Sequence, residues 1–118
     1  MKALELLEKV LSDSNLSKRI RGITQNDIGW IYLIGRGGVE KNYKLALKYN
    51  IRAGKNGQSH AYSNVALIYF AGLGVEQDYY KMVNYLILSL ENFSEGDDWI
   101  LEEKDEWLDS GRRLVRMD

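Results

Sequence analysis

"GGVEKNYKLALKY" over residues 37–49 and "GVEQDYYKMVNY" over residues 74–85 are one phrase written twice. The correspondence runs upstream as well. "IGWIYLIGRGGVEKNYKLALKY" from Ile28 aligns with "VALIYFAGLGVEQDYYKMVNY" from Val65, with one extra residue in the glycine turn of the first copy. The period is 37 residues before that turn and 36 after it. Ile28 matches Val65, Gly29 matches Ala66, Tyr32 matches Tyr69, Gly35 matches Gly72, Val39 matches Val75, Tyr43 matches Tyr79 and Tyr49 matches Tyr85. A fixed period of this length marks a stack of small units, none of which buries its apolar face alone.

Each copy reads as a helix, a glycine turn and a second helix. Ile28, Ile31 and Tyr32, like Val65, Ile68 and Tyr69, fall at the i, i+3, i+4 spacing that lines one helical face. Gly29 and Ala66 beside those faces let a neighbouring helix approach closely, which accounts for a glycine that lowers helix propensity. The turns "GRGGV" and "GLGV" supply positive-φ conformers that end a helix, and Asn42 and Asp78 stand where an N-cap acceptor starts the next. The stretch "KALELLEKVL" resembles "LALKYNIRAG" when Ala3 is placed on Ala46, so it reads as the second helix of a truncated preceding repeat. Ile100, Trp107, Leu108, Leu114 and Val115 form an apolar stripe on an otherwise charged helix that closes the stack. These patterns predict helices near 2–11, 24–35, 42–55, 59–71, 78–92 and 98–116, with 12–23 irregular or partly helical.

The expected fold is all-α, a short α/α solenoid with helical caps at both ends. At 118 residues the chain fits one domain, divided into a cap over 1–23, repeats over 24–58 and 59–94, and an acidic closing helix over 95–118. With no cysteine, disulfides, thiolate metal sites and cysteine nucleophiles are excluded. The amino terminus lacks the unbroken apolar core of a secretion signal, and no stretch approaches the about 20 apolar residues that span a bilayer. A soluble cytoplasmic protein, monomeric when free, is expected, with no membrane partner. The net charge of −1 conceals a segregation: residues 1–94 carry 12 basic and 8 acidic side chains (+4), residues 95–118 carry 4 and 9 (−5). Neither part is basic enough to grip nucleic acid.

The repeated positions resemble the Sel-like repeat, a relative of the tetratricopeptide repeat. The second copy matches that pattern at Ala61, Val65, Ala66, Tyr69, Gly72, Gly74, Val75, Asp78 and Tyr85, and the first at Ile28, Gly29, Tyr32, Gly35, Gly38, Val39, Ala46, Tyr49 and Ala53. Departures are Met82 opposite Ala46, Ser89 opposite Ala53, and the absence of proline, which mark the second copy as terminal. The resemblance implies a right-handed stack of antiparallel helix pairs that binds other proteins, with no catalytic residues to carry over. It also implies relatives that serve as adaptors in signalling and quality-control complexes, and bacterial ones that bind effectors or neutralise toxins.

Candidate chemistry is sparse. The glycine turns follow no predicted strand and lack the Gly-Lys-Ser/Thr of a phosphate loop. His60, the single histidine, has no second histidine to share a metal and reads as a capping or surface residue. Asp97, Asp98, Glu102, Glu103, Asp105 and Glu106 read as a solvated helix face rather than acid/base or metal chemistry. Most tyrosines sit at repeat positions and read as packing. Asn26, Trp30 and Leu33 run along one helix, with Ser63, Leu67 and Phe70 at the equivalent places on the next. With Tyr62 and Asn64 nearby, these form either a binding groove on the concave side or a stripe covered by residues 12–23.

The chain is therefore expected to be a non-catalytic protein-binding module without cofactor or metal. The more specific expectation is a bacterial immunity protein, in which Asp98, Glu102, Glu103 and Glu106 face a basic toxin surface. The alternatives are a cytoplasmic adaptor using the Trp30 stripe and a small metal-dependent enzyme using the acidic cluster.

Overall fold

The computed structural model describes residues 2–91. They form α1 (Lys2–Leu11), α2 (Lys18–Ile34), a 3₁₀ turn (Arg36–Gly38), α3 (Tyr43–Lys55), α4 (Ser59–Ala71) and α5 (Tyr79–Glu91), with no strand among the described residues. Helix contacts run mainly between neighbours in the chain, α1 with α2, α2 with α3, α3 with α4 and α4 with α5. This is the all-α repeat stack that the period demands. The expected closing helix over 98–116 lies outside the described residues.

The two turns are closed alike at both ends because the same residue types recur there, although the first turn is one residue longer. α2 ends at Gly35 (φ 69°) and α4 at Gly72 (φ 67°), each donating its N–H back to Ile31 or Ile68. Only glycine enters that left-handed region without strain. Asn42 Oδ1 then accepts from the Leu45 N–H at 3.1 Å, and Asp78 Oδ1 from the Lys81 N–H at 3.0 Å, so both expected N-caps form. The backbone N–H groups of Asn42 and Asp78 also donate to Tyr32 and Tyr69 at 2.9 and 3.0 Å. One bond thus pins each second helix to the first.

α2 begins six residues earlier than the pattern suggests, at Lys18 rather than 24. Ser17 starts it: its hydroxyl accepts the Ile20 N–H at 3.2 Å. Arg21 reaches back to the carbonyls of Leu11 and Asp13 at 3.3 and 3.0 Å, fastening the end of α1 to the start of α2. Ser17→Ala is expected to cost about 1 kcal/mol, the usual worth of an N-cap hydroxyl. Urea denaturation reads it, and no loss would mean that Arg21 alone sets the helix start.

Three apolar clusters run along the stack. Leu4, Ile28, Ile31 and Val39 join α1 to the first repeat; Leu33, Ala46 and Ile68 join the repeats to each other; Ala66, Met82 and Val83 close the second. The repeated tyrosines pack as paired rings, Tyr32 on Tyr49 at 6.2 Å and Tyr69 on Tyr85 at 5.8 Å. Gly29 performs its expected role, since a Cβ there would stand 2.6 Å from Asn50 Nδ2. Asn50 itself is fully buried; it donates to Ala46 O at 2.8 Å and accepts from Asn64 Nδ2 at 3.1 Å, so both ends of its amide are satisfied. Among the described residues no helix is long and apolar enough to cross a membrane.

Candidate functional site

α2 and α4, the first helices of the two repeats, meet at a 2.9 Å contact between Asn26 Nδ2 and His60 Nε2 and where Leu33 and Ile68 share one apolar cluster. Asn26 Oδ1 is buried and has no hydrogen bond among the described residues. Trp30 and Leu67, equivalent residues of the two copies, are 42% and 47% exposed, and Phe70 is 45% exposed. Large apolar side chains are thus exposed at matched positions of the two repeats, as a repeated binding face would require. The alternative in which residues 12–23 cover the stripe fails: 18–23 belong to α2 itself and Trp30 stays open.

Two residues expected on this face lie in the core instead. Leu33 is 7% exposed because Ala46 of α3 and Ile68 of α4 close over it. Its counterpart Phe70 has no such cover among the described residues and leans on Tyr79, with ring centroids 6.1 Å apart. Tyr62 is 8% exposed, its ring lying across Gly54 and 5.9 Å from Tyr85. Asn64 is partly buried and spends its amide on Asn50, a link between α3 and α4. Asp98, Glu102, Glu103 and Glu106 lie outside the described residues.

Beside Trp30 opens a cleft of about 410 Å³ between α1, α2 and the 3₁₀ turn. Leu4, Leu7, Trp30 and Ile31 wall it, and Asp27 and Arg36 place opposite charges on its lining. Periodicity alone does not disclose it. The available signal was the alignment of Ala3 on Ala46, which puts α1 where α3 stands and so predicts a second helix junction at the amino end.

Among the described residues no group of three histidine, aspartate or glutamate side chains is placed to hold a metal ion. The shifted groups are tyrosines: burial pushes the hydroxyls of Tyr32, Tyr62 and Tyr85 above the ordinary value of 10.0, with Glu8 adding to the effect at Tyr32 and Tyr69 at Tyr85. A pKa raised by folding means that the folded state holds its proton longer, so stability is full below pH 10 and falls as pH rises past it. Tyrosinate absorbance and helical circular dichroism should therefore change together above pH 10. Ionisation of all tyrosines with helicity intact would contradict the packing described.

A family model for the Sel1 repeat matches residues 23–58 and 59–91, more than half of the chain. Among solved structures the chain is similar to a Sel1 repeat protein from Oxalobacter formigenes, at 24% identity and a TM-score of 0.59. The match covers 78% of this chain and 43% of that one, so the chain spans less than half of that protein's length. No curated protein matches the chain in sequence.

Proposed function

Given that the chain belongs to the Sel1 repeat family, whose members generally mediate protein–protein interaction, we propose that it binds a partner protein through the α2/α4 face. The carrying observation is the exposed pair Trp30 and Leu67 at equivalent positions of adjacent helices, extended by Phe70. Exposed aromatic and large aliphatic residues are the usual energetic centres of such interfaces. The face is fixed by helices rather than loops, so little ordering entropy opposes binding.

Within this class the proposed role is that of an immunity protein which occupies a cognate toxin. Its support is the charge segregation of the chain, +4 over residues 1–94 against −5 over 95–118, which suits a partner with a basic surface. The adaptor reading is favoured by a different observation, the openness of Trp30 on the α2/α4 face.

The test is co-expression with the product of a toxin-like gene encoded beside this one, followed by affinity measurement. Trp30→Ala with Leu67→Ala is expected to weaken capture at least 30-fold, about 2 kcal/mol at a hot spot. Charge reversal at Glu102, Glu103 and Glu106 is expected to slow association and steepen the loss with salt. If neither set changes capture, both surfaces are wrong; if no neighbouring product binds, the immunity role falls and the binding face is left to the adaptor reading.

A further inference from the structure

The cleft beside Trp30 has a filled counterpart within the same molecule. Placing α1 on α3 and the first repeat on the second sets Ala3 on Ala46, Leu4 on Leu47, Ile31 on Ile68 and Val39 on Val75. The first member of each pair lines the cleft, and the second belongs to the cluster that joins the repeats. The remaining buried residue of the interior cluster is Leu33, delivered by α2 as it packs against α3, with Tyr32, Tyr43 and Leu73 partly buried around it. Among the described residues none delivers such a side chain against α1, and the cleft stands at the place that Leu33 fills inside.

The polar lining differs between the two sites in a way that bears on the occupant. Asp27 stands where Asn64 stands in the interior. Asn64 donates to Asn50, but the counterpart of Asn50 is Leu7, which offers no polar group. The Asp27 carboxylate makes no hydrogen bond or ion pair among the described residues, and it is exposed at the edge of an apolar wall.

We propose that the cleft receives an amphipathic helix of the partner protein, which packs against α1 as α2 packs against α3, inserts a leucine-sized side chain and sets a lysine or arginine against Asp27. This rests on the partner-binding reading above and supplies its anchor: Trp30 belongs to both the cleft and the α2/α4 face, so one partner occupies both. A cavity of this size with mostly apolar walls and few charges is suited to one buried anchor with an orienting contact.

The probe is a displayed library of helical peptides randomised on one face, selected against the full chain. Enriched peptides are expected to carry one leucine- or methionine-sized residue with a basic residue within a turn. Ala3→Phe, a substitution at an exposed position of α1 that fills the cleft, is expected to weaken their binding at least tenfold with an unchanged melting temperature. Asp27→Lys is expected to shift selection from basic to acidic flanking residues; being exposed, it serves also if Ala3→Phe does not fold. Peptides indifferent to both substitutions but weakened by Leu67→Ala would overturn the cleft while leaving the α2/α4 face standing. A library yielding no binder would overturn it too, as would nuclear Overhauser contacts from residues 92–118 to Trp30, which would show the cleft filled by the chain itself.

Discussion

Ile68→Ala is expected to lower the stability of the folded chain by about 2–5 kcal/mol, while Leu67→Ala, one residue away, should change it by no more than about 0.5 kcal/mol. The two side chains are alike in size and transfer energy, so the contrast isolates burial. Ile68 has no exposure and meets Leu33 of α2 and Ala46 of α3. Its removal leaves a cavity where three helices converge, and none of them can collapse into it without disturbing the others. Leu67 points away, 47% exposed, and loses mainly solvent contacts. For a domain of this size each kcal/mol moves the melting midpoint by roughly 4–8 °C, so thermal denaturation separates the pair easily. Equal losses at the two sites would mean that the helix face is rotated from the one described.

Gly54→Ala carries the second large effect, and its sign runs against propensity. Within a helix interior alanine is worth about 1 kcal/mol over glycine. Here the added Cβ would lie 2.5–2.6 Å from three ring atoms of Tyr62. The ring has no easy retreat, being itself buried and set 5.9 Å from Tyr85. Overpacking of that kind costs about 1–3 kcal/mol, and with so close an approach to a buried ring it should outweigh the helical gain, for a net loss of up to about 2 kcal/mol. The informative control is the same substitution in a Tyr62→Ala background, where Gly54→Ala should turn neutral or stabilising. A loss that persists without the ring would trace the glycine to some cause other than this contact.

Much of the architecture was readable because the repeat is written in residues whose roles are local. Gly35, Gly72, Asn42 and Asp78 act within a few bonds of themselves, and their geometry follows from their identity. Tyr32 and Tyr69 recur with their ring partners Tyr49 and Tyr85 once the extra residue of the first turn is allowed for, so their packing was also legible. What escaped depends on contacts far apart in the chain. Gly22 lies inside α2, where a Cβ would meet Asn56 O after α3 at 2.9 Å, so a close approach from far along the chain accounts for a glycine there. Leu33 and Phe70 occupy one repeat position and share an apolar character. Only the presence of α4 over the first and of no described helix over the second sends one inward and leaves the other open. Tyr62 likewise looked available until Gly54, on the neighbouring helix, was seen to make room for its ring. The same limit applied to the site. Trp30 and Leu67 could be matched by period, whereas the cleft is formed by residues of α1, α2 and the 3₁₀ turn that lie far apart in the chain, and no local pattern joins them.

The pairing of each helix with its neighbour in the chain also governs how the molecule is made. Contacts close over short loops, so little chain entropy is spent before the first favourable contact is gained. Folding can begin in either repeat and spread by one junction at a time, in the manner of a row of coupled units rather than a sphere that collapses at once. The coupling element is the Leu33–Ala46–Ile68 junction. A chain weakened there would still assemble each hairpin at its native speed and would lose chiefly the agreement between them.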